Sequence, residues 1–111
     1  MTTDKKQPID IESEEQFDKA LAAAPGEVLV DFVLDGCGAC EDDKPKIEAL
    51  AQGCDVTVLR VNADKVGALV DRYKVQEFPT LLHSVDAAGM TPKKAKNVEP
   101  EDVIKKLKCT R

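Results

Sequence analysis

The stretch that decides the fold is residues 27–40, which read EVLVDFVLDGCGAC. Its first eight residues are mostly apolar and β-branched, a composition that favours a buried strand. The residues after Cys40 place Ile47, Leu50 and Ala51 on one face, which predicts a helix that begins at the cysteine pair. The pattern therefore indicates a buried strand that leads into a C-x-x-C motif at the start of a helix.

The C-x-x-C position gives the two sulfur atoms different chemistry. At a helix N-terminus, unpaired backbone N–H groups and the positive end of the helix dipole stabilise a thiolate, the species that attacks disulfides. Cys37 stands at that position with its sulfur outward, so it is the predicted attacking thiol. Cys40 lies one turn further in and is predicted to be the buried, resolving thiol.

A metal site is the alternative interpretation, because half of a zinc site has the same spacing. A tetrathiolate site needs a second close pair or neighbouring histidines. Cys54 and Cys109 stand alone in the sequence, and His83 is the single histidine. The number and spacing of possible ligands therefore disfavour a metal site. Disulfide exchange itself needs no bound cofactor.

Nearly from end to end, the sequence resembles the thioredoxin family. Residues 28–32, which read VLVDF, are similar to the family's central strand with its buried aspartate. Residues 37–40 are similar to its active-site C-G-P-C, with Ala39 where proline is usual. Further matches, in chain order, are Pro45, residues 60–64, residues 73–75, residues 78–82 and Gly89.

The order of predicted elements agrees with this resemblance. A β-α-β-α-β run followed by β-β-α favours a mixed sheet with helices on both faces. The resemblance implies the α/β thioredoxin fold, in which four helices flank a central mixed five-stranded sheet. We expect a disordered N-terminus over residues 1–7 and a single thioredoxin-like domain over residues 8–111. Two strands, around residues 80–85 and 91–96, are predicted to flank a turn at residues 86–89.

Composition limits the partners and the compartment. The chain has 111 residues, is 42% hydrophobic and contains no Trp, which suits one aliphatic core. Its net charge of −5 disfavours nucleic acid and anionic membranes as partners. No secretory signal or apolar run of membrane length is visible, so the reducing cytoplasm is the expected location.

Asp31 and Arg60 form a second candidate pair. An aspartate in an apolar strand is costly to bury, and burial raises its pKa. It serves either an ordinary salt bridge, for example with Arg60, or a function. The resemblance implies the latter: the equivalent aspartate helps to move the proton of the buried cysteine, here Cys40. Arg60 replaces the family's lysine and keeps its charge, so we expect Asp31 to be less basic than is usual in the family.

The resemblance also implies a substrate groove. It predicts a cis peptide between Phe78 and Pro79, which leaves the backbone of Phe78 free to pair with an extended substrate. Gly36 stands where the family has a tryptophan, so an apolar contact surface is missing. Asn97 falls roughly where the family has a glycine, which predicts a narrower groove.

Three acidic residues and two cysteines complete the candidates. Glu41, Asp42 and Asp43 are either a solvated first helical turn or a source of negative charge that opposes the thiolate. Cys54 and Cys109 are expected to be ordinary small residues at helix ends with no redox role.

The resulting functional hypothesis is a small monomeric thiol–disulfide oxidoreductase of the cytoplasm. It would reduce disulfide-containing proteins through a Cys37–Cys40 couple and receive electrons from a thioredoxin reductase or a similar donor. Such a protein would serve electron transport and cell redox homeostasis, with no nucleic acid or membrane partner. Two alternatives stay open: a specialised redox partner of one protein, and a non-catalytic thioredoxin-fold binding module.

Overall fold

The computed structural model describes residues 7–107. Over this range the chain alternates strands and helices through its first four strands, and a short 3₁₀ turn at Ala87–Gly89 leads to the last strand. The elements are β1 (Ile9–Ile11), α1 (Glu14–Ala23), β2 (Glu27–Val33), α2 (Gly38–Gly53), β3 (Val56–Asn62), α3 (Gly67–Tyr73), β4 (Thr80–Ser84), β5 (Lys96–Asn97) and α4 (Pro100–Leu107).

The five strands form one mixed sheet in the order β1-β3-β2-β4-β5. β1 and β2 are parallel to β3, β4 is antiparallel to β2, and β5 is antiparallel to β4. The predicted mixed five-stranded sheet flanked by four helices is confirmed. β2 lies at its centre, so its side chains are covered on both faces.

Each face of the sheet carries its own apolar core. The α1/α3 core contains Ile11, Phe17, Val28, Val30, Phe32, Leu59, Val61, Val66, Leu69, Tyr73, Leu82 and Met90. The α2/α4 core contains Leu29, Ile47, Leu50, Ala51, Cys54, Val58, Leu81 and Val103. Side chains alternate along β2, so Asp31 shares the face of Leu29, under α2 and α4.

Local signals account for where the helices begin. The hydroxyl of Ser13 accepts a hydrogen bond from the N–H of Gln16 at 3.1 Å and caps α1. Pro100 is the first residue of α4, where a missing N–H costs nothing, and Glu101 follows in the first turn. Both signals act within one helical turn.

The predicted strand over residues 91–96 is wrong. Asp86 caps the 3₁₀ turn by accepting from the N–H of Gly89 at 2.9 Å, and the chain then turns again at Thr91. The Thr91 carbonyl accepts from the N–H groups of Lys94 and Ala95, so these groups are not available to a sheet. Pro92 has no N–H to donate. As a result β5 is two residues long.

The ends of the chain are not part of this description. The predicted N-terminal segment, residues 1–7, lies outside the described residues except for Gln7, and Cys109 lies outside them as well. Within residues 7–107, no helix is both long enough and apolar enough to cross a membrane.

Candidate functional site

The cysteine pair lies at the junction of β2 and α2. Cys37 and Cys40 form a disulfide, with their Cα atoms 5.2 Å apart. Cys37 is half-buried, whereas Cys40 is only 6% exposed. The sequence predicted this unequal exposure from the position of the two residues in the first helical turn.

The sulfur of Cys37 acts as the N-cap of α2. Its Sγ atom accepts a hydrogen bond from the N–H of Cys40 at 3.1 Å, the contact that a Ser or Asp oxygen makes at other helix starts. A negative charge on this sulfur is therefore stabilised by a backbone donor and by the helix dipole. The arrangement suits an attacking thiolate.

Gly36 precedes this cap with a positive φ of 74°. L-residues rarely adopt this conformation, so glycine is needed here for the backbone. From the sequence, Gly36 was interpreted only as the absence of the family's tryptophan, because a comparison of motifs does not reveal the backbone angle φ. Its contribution to a substrate surface stays a prediction.

Asp31 lies on β2, the central strand of the sheet, and lines the same cavity as Cys40. It is 4% exposed, and its register partners are Arg60 on β3 and Leu81 on β4. Burial raises the pKa of the Asp31 carboxyl from 3.8 to about 6, while Arg60 lowers it and the charge of Asp43 raises it. Burial therefore outweighs the arginine, and the carboxyl can exchange a proton near neutral pH.

The pair of Asp31 and Arg60 is loose. Their closest atoms, Nε and Oδ2, are 4.0 Å apart, beyond hydrogen-bonding distance. Arg60 also lies 3.6 Å from a carboxylate oxygen of Asp10 and 3.8 Å from one of Glu48. The simple two-residue salt bridge considered from the sequence is in fact a cation shared among three carboxylates.

A polar cavity of about 290 Å³ connects these groups to the surface. Asp31, Cys40 and Arg60 contribute to its wall, and Asn62 and Asp35 lie at the same cavity. The amide of Asn62 donates a hydrogen bond to Asp35 at 3.0 Å. Such a polar cavity has room and partners for water, so it offers a route for protons between Asp31, Cys40 and solvent.

Pro79 lies at the same end of the sheet as Cys37. The Phe78–Pro79 peptide bond is cis, as the resemblance implies, and Thr80 pairs with Phe32 near the end of β2. Pro79 and Asn97 line a second cavity of about 350 Å³. The side chain of Phe78 is half-buried against the α1/α3 core, so its backbone is what it offers to a substrate.

The three acidic residues after Cys40 do not share one environment. Glu41 and Asp42 are exposed, but Asp43 is half-buried and lies 3.8 Å from Lys46. Among the three, Asp43 is the one whose charge raises the pKa of Asp31. The charge of Asp43 therefore acts on the buried carboxyl of Asp31. From the sequence, only an effect on the Cys37 thiolate was considered.

Sequence reasoning missed Asp10 and Glu48. Asp10 pairs in register with Arg60 across β1 and β3, and Glu48 reaches it from α2. A single acidic residue on an exposed strand or helix carries no signal of this kind. Only the assembly of three elements brings the carboxylates to one guanidinium.

The structure also tests the expectations for Cys54 and for a metal site. The expectation that Cys54 is an inert small residue is wrong, because Cys54, buried at the C-cap of α2, is disulfide-bonded. His83 is hydrogen-bonded, with its Nε2 atom 2.6 Å from a carboxylate oxygen of Glu27. Within residues 7–107, no group of three or more metal-ligating side chains is arranged to hold a metal ion.

Comparison with known proteins shows one consistent relationship. The family model for thioredoxin matches residues 8–108. A thioredoxin of Chlamydia trachomatis is 32% identical over 100 residues, which cover 89% of this chain and 94% of the relative. A thioredoxin of Rhodospirillum rubrum is 35% identical over 72 residues, covering 63% and 69% of the two chains.

Solved structures agree at the level of the fold. A mutant thioredoxin from Halobacterium salinarum superposes with a TM-score of 0.79 at 24% identity, over 97% of this chain and 94% of that one. A thioredoxin from Nicotiana alata gives a TM-score of 0.74 at 21% identity, over 96% and 94%.

Proposed function

The chain belongs to the thioredoxin family and is a thiol–disulfide oxidoreductase, and from this premise we propose that it reduces disulfides of other proteins through Cys37 and Cys40. The observation that carries the proposal is the hydrogen bond from the N–H of Cys40 to the sulfur of Cys37. It supports Cys37 as the thiolate, because the same donor is available to the sulfur when the disulfide is opened.

The reaction proceeds in two exchange steps. In the first, the Cys37 thiolate attacks one sulfur of a substrate disulfide, forms a mixed disulfide and releases the other substrate thiolate. In the second, Cys40 attacks the sulfur of Cys37 and releases the second substrate thiolate. Two electrons pass to the substrate, and the protein is left with the Cys37–Cys40 disulfide.

Asp31 supplies the proton acceptor for the second step. Cys40 must lose its proton before it attacks, and it is buried beside the same cavity as Asp31. A carboxyl whose pKa is about 6 is a more effective base near neutral pH than an ordinary aspartate. The proton then leaves through the polar cavity.

The substrate groove and the electron donor follow from the same premise. The backbone of Phe78, with Pro79 and Asn97, receives an extended substrate segment, and Gly36 leaves space above Cys37. A thioredoxin reductase or a similar donor returns two electrons to the Cys37–Cys40 disulfide. We propose that the protein works as a monomer in the cytoplasm, where electron transport to protein disulfides serves redox homeostasis.

Reduction of insulin tests the function. With dithiothreitol as electron source, the protein should accelerate insulin reduction, and Cys37→Ser should abolish the acceleration. Cys40→Ser should instead accumulate the mixed disulfide. Glu15→Gln, which changes an exposed residue of α1, serves as the control with unchanged turnover. Absence of acceleration in the wild-type protein would favour a non-catalytic binding module.

A second electron source separates the two catalytic alternatives. Turnover with NADPH and a thioredoxin reductase indicates a general disulfide reductant, whereas turnover with dithiothreitol alone favours a specialised redox partner.

Alkylation tests which cysteine attacks. Limiting iodoacetamide on the reduced protein should modify Cys37 first, because Cys37 is the more exposed of the two cysteines. Faster modification of Cys40 would reverse the assigned roles.

A further inference from the structure

Arg60 is a mostly buried cation that none of its three carboxylate neighbours holds closely. Its side chain is 16% exposed, and Asp10, Asp31 and Glu48 lie at 3.6, 4.0 and 3.8 Å. Its Nη2 atom is buried and, among the residues that the structure describes, has no hydrogen-bond partner. Buried guanidinium groups normally form short hydrogen bonds to carboxylates, so this shared position requires an explanation.

Arg72 shows what a closely held guanidinium looks like in the same molecule. Its Nη2 atom donates to a carboxylate oxygen of Asp18 at 2.8 Å. If Arg60 approached Asp31 in this way, the charge-assisted hydrogen bond would stabilise the ionised carboxylate and lower its pKa. The carboxylates of Asp10 and Glu48 compete with Asp31 for the guanidinium.

We propose that Glu48 and Asp10 are positioning residues that hold the Arg60 guanidinium away from Asp31. Glu48 draws it from the side of α2, and Asp10 draws it from β1. The attraction leaves Asp31 without a short ionic hydrogen bond, so that burial governs its protonation. The consequence for catalysis rests on the proposed role of Asp31 as the proton acceptor of Cys40, but the positioning itself does not.

Asp43 is a further charged group that acts on Asp31, and other charged residues line the same cavity as Asp31. Asp43 reaches it from α2 and opposes Arg60. The remaining charged residues stand around the cavity that Asp31 shares with Cys40, on β1, α2 and the loops that follow β1, β2 and β3. They are Asp10, Glu12, Asp35, Glu41, Lys44 and Lys65.

A carboxyl titration measures the positioning directly. The midpoint of Asp31 can be followed by carbon-13 NMR in the oxidised protein, with Asp31→Asn identifying its signal. In Glu48→Gln the guanidinium is released toward Asp31, so the midpoint should fall by about 1 pH unit. In Arg60→Gln it should rise. Glu48 is 42% exposed at its side chain, so the substitution does not bury an unpaired amide.

A double variant separates positioning from direct repulsion between the two carboxylates. Neutralising Glu48 also removes a negative charge near Asp31, which lowers the midpoint without any movement of Arg60. If Glu48 acts through Arg60, Glu48→Gln should have less than half of its effect in an Arg60→Gln background. An equal shift in both backgrounds, or a midpoint that stays or rises in Glu48→Gln, would overturn the proposal. Glu15→Gln is the control and should shift nothing.

Asp10→Asn and a kinetic measurement complete the test. Asp10→Asn should also lower the midpoint of Asp31, but by less than Glu48→Gln, because the Asp10 side chain is 69% exposed and solvent screens its charge.

A kinetic measurement tests the consequence for catalysis. Resolution of a mixed disulfide on Cys37 should become about threefold slower at neutral pH in Glu48→Gln, because Asp31 becomes a weaker base. A shifted midpoint with unchanged resolution would retain the positioning and contradict the catalytic role of Asp31.

Discussion

The two faces of the sheet differ in how they treat polar groups. In the α1/α3 core, Phe17, Phe32 and Tyr73 pack ring against ring, and the Tyr73 hydroxyl donates to the carbonyl of Met90 at 2.7 Å. On the α2/α4 side, β2 and β3 carry a buried carboxyl and a mostly buried cation that form no short bond with each other. Both faces bury apolar side chains, but only the α2/α4 face also carries the cost of burying the titratable group Asp31.

Arg60 and Arg72 make the same contrast. Arg72 lies over the rings of Phe17 and Tyr73 at 5.4 and 5.6 Å and holds Asp18 at 2.8 Å, so it joins α1 to α3. Arg60 touches three elements and is fixed by none of them. A structural cation is held by its nearest partner, whereas the position of the cation beside Asp31 depends on the balance among several.

The largest expected effect is that of Phe17→Ala, which tests whether the two faces are separable. Phe17 is fully buried, so the truncation should cost about 3–5 kcal/mol of unfolding free energy. Urea unfolding measures the loss. Insulin reduction per folded molecule should be unchanged, because the α1/α3 core holds none of the reacting groups. A loss of activity in the folded fraction would show that the faces are coupled.

Asp31→Asn, on the other face of the sheet, should increase the unfolding free energy instead of lowering it. The folded carboxyl has a pKa of about 6 and the unfolded one 3.8. Between pH 3.8 and pH 6 the folded protein therefore keeps a proton that the unfolded chain loses. The stabilisation that this proton provides is present below about pH 4 and is lost as the pH rises through 6. The gain from the substitution should thus grow by about 2.4 kcal/mol between pH 4 and pH 7.

Urea unfolding of both proteins at several pH values measures this gain, and insulin reduction should become slower in the variant. Asp55→Asn, at an exposed residue after α2, is the matched control. Parallel stability profiles for the wild type and Asp31→Asn would contradict the raised pKa.

Gly36→Trp tests whether the segment between β2 and α2 tolerates the side chain usual in the family. Because Gly36 has a φ of 74°, the substitution should cost about 1–2 kcal/mol of unfolding free energy. Gly38→Ala is the matched control, since a Cβ there meets no atom within 4 Å and φ is not positive. A tryptophan variant as stable as the wild type would show that the backbone can relax. Kinetics with a thioredoxin reductase then test the missing apolar surface.

The smallest expected effect concerns the redox potential. Ala39 in place of proline should loosen the C-x-x-C turn and make the site less reducing, while the exposed Glu41 and Asp42 favour the disulfide by opposing the thiolate. Screening weakens the acidic residues over about 10 Å. We therefore expect a potential about 20–30 mV less negative than the roughly −270 mV of thioredoxin.

Equilibration with glutathione measures this potential. Ala39→Pro should move it toward more negative values, and Lys19→Gln on α1 is the control that should leave it in place. A wild-type potential below that of thioredoxin would contradict the dominance of the turn.

The amino-acid sequence by itself determined the features that arise within one or two turns of chain. The strand before Cys37, the helix after it and the N-cap role of its sulfur follow from apolar spacing and from a motif four residues long. The order of elements and the family resemblance then gave the mixed sheet. These features were predictable because their interactions are local or are repeated along the sequence.

Only the tertiary structure decided the features that depend on residues far apart in sequence. The meeting of Asp10, Glu48 and Arg60 requires β1, α2 and β3 to pack together. The disulfide bond of Cys54 was not indicated by the spacing of the cysteines in the sequence. The balance between burial and Arg60 at Asp31 is set by solvent exclusion from the assembled sheet. Distances of a few tenths of an ångström decide whether an ion pair is a hydrogen bond, and no sequence pattern carries that information.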